Sequence, residues 1–115
     1  MKLTLNVGRD LPSGGRLPTC VVQLEAVLAV RHLDINARCR CTWKQSETEE
    51  TLVLVSEVPD ETAGAVGSFM TELAVSLGQD CVAVLLEHAG ETYGELYGPR
   101  AAAWEPFSLD HFIKA

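Results

Sequence analysis

The chain has 115 residues, of which 47% are apolar, enough for the core of one domain and too many for a disordered segment. Sixteen acidic and nine basic residues give a net charge of −7, which argues against general nucleic-acid binding, because a phosphate backbone must be neutralised by lysines and arginines. The sequence shows neither an apolar run of the ~20 residues that span a membrane nor a signal-peptide layout, so we expect a single cytoplasmic domain, residues 1–115.

The first predicted element is a half-buried strand from Lys2 to Val7, where apolar and polar residues alternate. A loop from Gly8 to Pro18 follows, with three glycines, two prolines, Arg9 and Arg16. Arginines and glycines ahead of a helix are compatible with an anion site at the helix N-terminus. The loop lacks the spacing of a Walker or dinucleotide motif, so an ordinary connecting loop is favoured.

A helix is predicted from Pro18 or Thr19 to about Asp34. Its buried stripe is expected to comprise Val21, Leu24, Val27, Leu28 and Ile35. The next segment, 37–44, alternates as a strand does. One face carries Ala37, Cys39, Cys41 and Trp43, and the other carries Arg38, Arg40, Thr42 and Lys44.

The stretch from Thr51 to Leu86 predicts a strand, a helix and a second strand. The apolar runs 52–55 and 81–86 are typical of strands covered on both faces. Asp60 is the expected N-cap of the helix, and Gly78 is the expected residue at its C-terminal end. The helical stripe should contain Ala63, Val66, Met70, Leu73 and Leu77. Gly64 and Gly67 would allow this helix to approach the sheet closely.

The C-terminal third predicts a hairpin, Leu85–Tyr97, followed by an aromatic tail at 99–115. So many large apolar side chains in a tail should pack on the domain or on a partner subunit. The element order favours an α+β fold of the ferredoxin-like β-α-β-β-α-β plan. We expect an antiparallel sheet with both helices on one face, the first and third strands in its centre, and an additional hairpin strand.

Candidate reactive groups are few. Cys39 and Cys41 point the same way on a strand, but a zinc site needs two further ligands at a suitable spacing, so buried reduced thiols are favoured. His88 lies next to Glu87 and near Glu91, which permits acid–base chemistry, although a solvated turn is the simpler interpretation. We predict neither a catalytic residue nor a cofactor nor a bound metal.

The predicted working surface is an interface. Aromatic residues and arginine are enriched at binding hot spots, and several cluster near the C-terminus. The predicted interface residues are Tyr93, Tyr97, Arg100, Trp104 and Phe107. The leading hypothesis is a non-enzymatic protein that binds a protein partner or itself as a homodimer. The alternative is a small-ligand-binding or enzymatic domain with a cleft between sheet and tail, lined by His88, Glu87, Tyr93 and Arg100.

The segments Leu77–Val84, Leu96–Trp104 and Pro106–Phe107 resemble small uncharacterised proteins of bacterial plasmids and integrative elements. The resemblance covers about the last third of the chain. It implies an accessory or interaction protein of bacterial origin, and it carries no activity and no functional residues. The net negative charge adds the hypothesis of an accessory or inhibitor protein of a mobile element that occupies a basic surface on another protein.

Overall fold

The strands and helices follow one another in the order that the hydrophobic patterns predict. A computed structural model describes residues 1–45, 48–106, 108 and 111–113. The regular elements are β1 (Lys2–Gly8), α1 (Thr19–Leu33), β2 (Arg40–Gln45), β3 (Glu50–Glu57), α2 (Val66–Ser76), β4 (Val82–His88) and β5 (Glu91–Tyr97). Short 3₁₀ helices cover Asp60–Ala65 and Ala101–Trp104.

The described strands form one antiparallel sheet in the order β2-β3-β1-β4-β5. In the central strand, Leu5 lies opposite Leu54 on one side and Val84 on the other. The first and third strands are therefore interior, as expected for the split βαβ arrangement. The predicted ferredoxin-like α+β fold is confirmed, with β5 as the additional hairpin strand at the edge.

The two faces of the sheet are covered to different extents and by different parts of the chain. Residues directly opposite each other share a face, so Leu5, Leu54 and Val84 all point toward the helices, where they are buried in the main core. The face away from the helices, here called the open face, carries Asn6 and Val53, which are also buried. Arg40 and Lys44 lie on this open face toward the β2 edge, as their alternation predicts.

The tail covers part of the open face. The side chain of Asn6 donates a hydrogen bond from Nδ2 to the carbonyl oxygen of Ile113 and accepts one at Oδ1 from the Ile113 N–H, each at 3.0 Å. Phe112, the preceding residue in the tail, is buried. A buried amide with both of its polar atoms satisfied holds this part of the tail in a defined register over β1.

The predicted buried stripe of α1 is wrong except at Val27, which is half-buried and packs against the core. The side chains that enter the core are smaller and lie on another face, at Val22, Ala26, Ala29 and Val30. Leu24 is 58% exposed, and Val21, Leu28 and Ile35 are exposed too. Apolar residues occur on almost every side of this helix, so the period of 3.6 identifies the helix without fixing which side is buried. No described helix has the length and apolar character to cross a bilayer.

The predicted start of the second helix is also wrong. Residues Asp60–Ala65 form a 3₁₀ helix, and α2 begins only at Val66. The Asp60 carboxylate caps no backbone N–H; it lies 3.1 Å from the amino group of Met1 and 3.3 Å from Nδ1 of His88. The Asp60 carboxylate thus contacts the Met1 ammonium and the His88 imidazole, both outside the helix, in place of the expected cap.

The rest of the predicted α2 pattern holds. Val66, Met70, Leu73 and Leu77 are buried, whereas Ala63, in the 3₁₀ helix, is exposed. Gly78 follows with a φ of 64°, the left-handed conformation expected after a helix.

Close approach of α2 to the sheet is found at only one of the two glycines in question. A Cβ atom on Gly67 would lie 3.0 Å from a ring carbon of Tyr97, whereas a Cβ atom on Gly64 would meet nothing within 4 Å. The absence of a side chain at Gly67 therefore allows α2 to rest on the ring of Tyr97 at the β5 edge.

Candidate functional site

A cavity of about 570 Å³ lies on the open face, at the end of the sheet where β1 finishes and β4 begins. Four side chains from the adjacent strands β3, β1, β4 and β5 contribute to its floor: Thr51, Asn6, Ala83 and Leu96. The register places Ala83 directly between Asn6 and Leu96. Ligand pockets for small molecules have volumes of roughly 300–1,000 Å³, so the cavity is of suitable size.

Small residues keep this end of the sheet open. Gly8, at the end of β1, lines the cavity, and a Cβ atom there would lie 3.3 Å from Oε1 of Gln79 and 3.9 Å from Oε2 of Glu49. Ala83 in β4 presents only a methyl group to the floor. A larger side chain at either position would occupy space that the cavity now holds, because protein interiors leave few gaps of this size.

The tail forms the wall opposite the loop that follows β1. Trp104, His111 and Ile113 line the cavity from the tail side, and Asp10, Leu11 and Pro12 line it from the loop side. The paired hydrogen bonds between Asn6 and Ile113 fix the tail wall to the floor. The cavity is therefore a cleft between sheet and tail, held by a polar contact at its base.

The charged groups of the lining are acidic. Among the described residues that line the cavity, the carboxylates are those of Asp10, Glu49 and Asp80, and neither lysine nor arginine is present. Asp10 is paired with Arg16, whose Nε lies 2.8 Å from its Oδ1. The surrounding field therefore favours a ligand that is cationic, or one that donates hydrogen bonds from hydroxyl or amino groups.

Asp80 and Trp104 form one corner of the cavity. The indole Nε1–H of Trp104 donates a hydrogen bond to Oδ2 of Asp80 at 3.2 Å. Arg100 approaches the same carboxylate, with Nε 4.0 Å from Oδ1, but its side chain is 71% exposed. This corner thus combines a carboxylate, which attracts a cation, with an exposed aromatic ring, on which a planar group can stack.

The predicted interface residues do not form one surface. Arg100 and Trp104 meet at Asp80, whereas Tyr97 packs under Gly67 near the helices. Tyr93 is exposed and its hydroxyl donates a hydrogen bond to Glu91. Phe107 lies outside the described residues. A role of these residues in binding a protein partner stays a prediction.

The cleft predicted from the sequence exists, but its predicted lining is wrong. Of the described lining residues, none is His88, Glu87, Tyr93 or Arg100. His88 ends β4 at the opposite end from the cavity and pairs with Asp60. The predicted lining failed for two reasons. Neighbouring residues of a strand point to opposite faces of the sheet, so they cannot all line one cleft. The position of a residue near a turn also does not predict which end of the sheet the tail covers.

The contacts of the loop after β1 agree with the favoured interpretation, an ordinary connecting loop, over an anion site. Arg9 donates to Oε2 of Glu50 at 2.7 Å and to the carbonyl of Leu17, and Arg16 pairs with Asp10. Both guanidinium groups therefore already have carboxylate partners. In the described residues, no three His, Cys, Asp or Glu side chains are grouped to hold a metal ion.

Burial lowers the reactivity of three thiols. It raises the pKa of Cys39, Cys41 and Cys81, and in Cys81, which lines the cavity, the neighbouring charge of Asp80 raises the pKa further. A raised pKa leaves less of the reactive thiolate at a given pH. Cys20 is exposed on α1.

We therefore expect one rapid reaction per chain with an aromatic disulfide reagent at about pH 8, from Cys20, and slow reaction of the other three thiols. Absorbance of the released thiolate measures the phases. A Cys20→Ser variant should lack the rapid phase but titrate fully in denaturant. Rapid reaction of more than one thiol in the folded wild-type chain would contradict the assignment.

Comparison of the sequence with protein-family models gave no match, and comparison with curated proteins gave none either. Two solved structures of a phage SAM lyase share the fold. One, in complex with S-methyl-5′-thioadenosine, has a TM-score of 0.56 at 15% identity, over 83% of this chain and 88% of that chain. The other, in the apo state, has a TM-score of 0.57 at 13% identity, over 83% and 87%.

These neighbours overturn the leading functional hypothesis. A non-enzymatic interaction protein was expected, but the proteins that share this fold are described as an enzyme, one form of which holds a small ligand. The alternative, a small-ligand-binding or enzymatic domain with a cleft between sheet and tail, agrees better with these neighbours and with the observed cavity. At 15% identity or less the comparison itself shows only the fold.

Proposed function

We propose that this chain binds an adenosine thioether or its sulfonium parent in the open-face cavity and acts on it as an enzyme. The observation that carries the proposal is the acidic cleft with Trp104 at its mouth, in a fold shared with a SAM lyase that was captured with methylthioadenosine. Fold likeness alone would be insufficient, since one fold supports many functions.

The groups of the cavity match the parts of such a ligand. An adenine ring can stack on the exposed indole of Trp104, and base–aromatic stacking is worth about 1–3 kcal/mol. Ribose hydroxyls are hydrogen-bond donors, which the Asp10 carboxylate and the Thr51 hydroxyl of the lining can accept. The apolar part of the floor, Ala83 and Leu96, suits a methylthio group.

The chemistry of a sulfonium also explains why the sequence lacks a catalytic signature. When a carbon–sulfonium bond breaks, its electron pair stays on sulfur and a neutral thioether leaves, while the carbon forms a new bond to a nucleophile, for which a carboxylate oxygen of the substrate itself can serve. Such a leaving group needs no protonation, so the site needs no general acid. What the protein must supply is a cavity that orients the substrate and limits water, which positioning side chains can do.

Binding can be measured by fluorescence. Trp43 packs against the helix-side core, so in a Trp43→Phe variant Trp104 is the single tryptophan and reports on the cavity. We expect methylthioadenosine to quench it with saturation at or below about 1 mM, a modest affinity for a ligand of this size. Adenosine-free thioethers are the control ligands.

Activity is tested by incubating the wild-type chain with S-adenosylmethionine and following methylthioadenosine by chromatography. Heat-denatured protein gives the spontaneous rate. If neither ligand quenches Trp104 and calorimetry on the wild-type chain shows no heat of binding at millimolar concentrations, the proposed function is wrong.

Three further proposals concern the cellular location, the origin and the oligomeric state of the protein. Cytoplasmic residence is supported by four free cysteines in the chain, because such thiols persist in reducing compartments. We also propose an origin on a bacterial mobile element and self-association as a homodimer. Light scattering at two protein concentrations measures the oligomeric state.

A further inference from the structure

We infer that Asp80 is the specificity-determining residue by which this cavity prefers a positively charged sulfonium ligand to the corresponding neutral thioether. The inference rests on the proposed function, since it assigns a role to one carboxylate of that same site. It goes further by predicting which of two ligands that share adenosine and the methylthio group is bound more tightly.

The position of Asp80 carries the first step. It precedes β4 and lines the cavity, and its side chain is only 25% exposed. The Trp104 indole N–H donates to Oδ2 at 3.2 Å, which places the edge of an aromatic ring beside the carboxylate. A cation seated in this corner would meet the negative carboxylate, which the indole N–H holds in place.

The second step is that the Asp80 carboxylate has a more distant cationic partner than the Asp10 carboxylate has. The Asp10 carboxylate is paired with Arg16 at 2.8 Å. Within the described part of the chain, Asp80 pairs with Arg100, whose Nε lies 4.0 Å from Oδ1 on a largely exposed side chain. Exposed pairs of that length interact weakly, because water and salt screen them.

The third step is that the backbone holds Asp80 in place before a ligand arrives. The Arg100 N–H donates to the Asp80 carbonyl at 3.0 Å. The turn at Gly98 packs so closely that a Cβ atom there would lie 2.4 Å from the same carbonyl oxygen. A carboxylate on a fixed backbone loses little conformational entropy when it binds a cation, so less of the binding free energy is lost in ordering it.

The test compares Asp80→Asn with the wild-type chain by calorimetry. Asparagine retains an oxygen that can accept from Trp104, so the corner should keep its shape. We expect S-adenosylmethionine to bind about tenfold more weakly to the variant, and methylthioadenosine to change by less than about twofold. The matched control is Glu61→Gln, which removes one negative charge from the exposed 3₁₀ helix beside Asp60 and should change neither affinity.

S-adenosylhomocysteine separates the two cationic groups of the ligand, because it keeps the amino-acid ammonium but has a neutral sulfur. If Asp80→Asn weakens it as much as S-adenosylmethionine, the residue recognises the ammonium and the inference is overturned. Equal weakening of methylthioadenosine overturns it too. Wild-type protein that binds none of the three ligands instead refutes the proposed function.

A second variant acts in the opposite direction and keeps the inference testable if Asp80→Asn folds poorly. Arg100 is largely exposed, so Arg100→Gln should fold normally. Loss of this cation frees Asp80 further, and we expect tighter binding of S-adenosylmethionine, by about two- to threefold, with unchanged binding of methylthioadenosine. If the ratio of the affinities for S-adenosylmethionine and methylthioadenosine is the same in this variant as in the wild-type chain, Asp80 does not recognise the positive charge of the ligand.

Discussion

Replacement of Gly98 by alanine is expected to destabilise the domain strongly and to abolish ligand binding in the cavity. A Cβ atom at this position would lie 2.4 Å from the carbonyl oxygen of Asp80 and 2.6 Å from the Cα atom of Cys81. Both are backbone atoms at the start of β4, so no side chain can rotate away to relieve the clash. Overpacking in a tight region costs typically about 1–3 kcal/mol, and a backbone clash lies at the upper end.

The measurement is urea unfolding, with calorimetric titration of methylthioadenosine on the folded fraction. Gly64→Ala is the matched control, because a Cβ atom there meets nothing within 4 Å and its φ is not positive. Its free energy of unfolding should stay within about 1 kcal/mol of the wild-type value. If Gly98→Ala were as stable as Gly64→Ala, the close packing of the turn on β4 would be refuted.

Leu5→Ala is expected to lower the free energy of unfolding by about 2–5 kcal/mol, the usual cost of truncating a large buried side chain. Leu5 is fully buried in the central strand, opposite Leu54 and Val84, which are buried as well. Removal of its side chain leaves a cavity in a layer that the helices already cover, and strands on both sides resist collapse into it.

Leu24→Ala in α1 provides the comparison that distinguishes the two possible faces of this helix. Leu24 is 58% exposed, so its truncation should cost less than about 1 kcal/mol in urea unfolding. Ala26 occupies the buried side, and Ala26→Leu should destabilise through overpacking. A cost for Leu24→Ala as large as that for Leu5→Ala would show that the face predicted from the sequence is the buried one after all.

Local pattern was sufficient for the elements of this fold and their order. The alternation at Cys39, Cys41 and Trp43 predicts a strand with one face on the core, and these side chains do pack against it. Strand alternation has a period of two, so a single apolar side leaves only one choice of face. The turn at Gly78 was predictable because a helix end needs a residue that tolerates positive φ.

The helix faces were less predictable because the signal for them is ambiguous. In α1 both Leu24 and Val22 are apolar, and the sequence of a helix that is apolar on most sides does not indicate which side is buried. The side of α1 with Val22 and the alanines packs on the sheet, since small side chains allow the helix to approach the sheet closely. The expected cap at Asp60 failed for a similar reason: its carboxylate had better partners, in the Met1 amine and His88, that lie far away in sequence.

The β-α-β-β-α-β order and the additional hairpin strand could be predicted from local pattern, because strand and helix periods and turn residues act over a few neighbouring positions. The location of the candidate site could not, because it depends on contacts between distant parts of the folded chain. The corner of the site joins Asp80 to Trp104, and its base joins Asn6 to Ile113, 107 positions apart. A pattern of neighbouring residues does not predict such contacts, because they depend on where the tail crosses the open face.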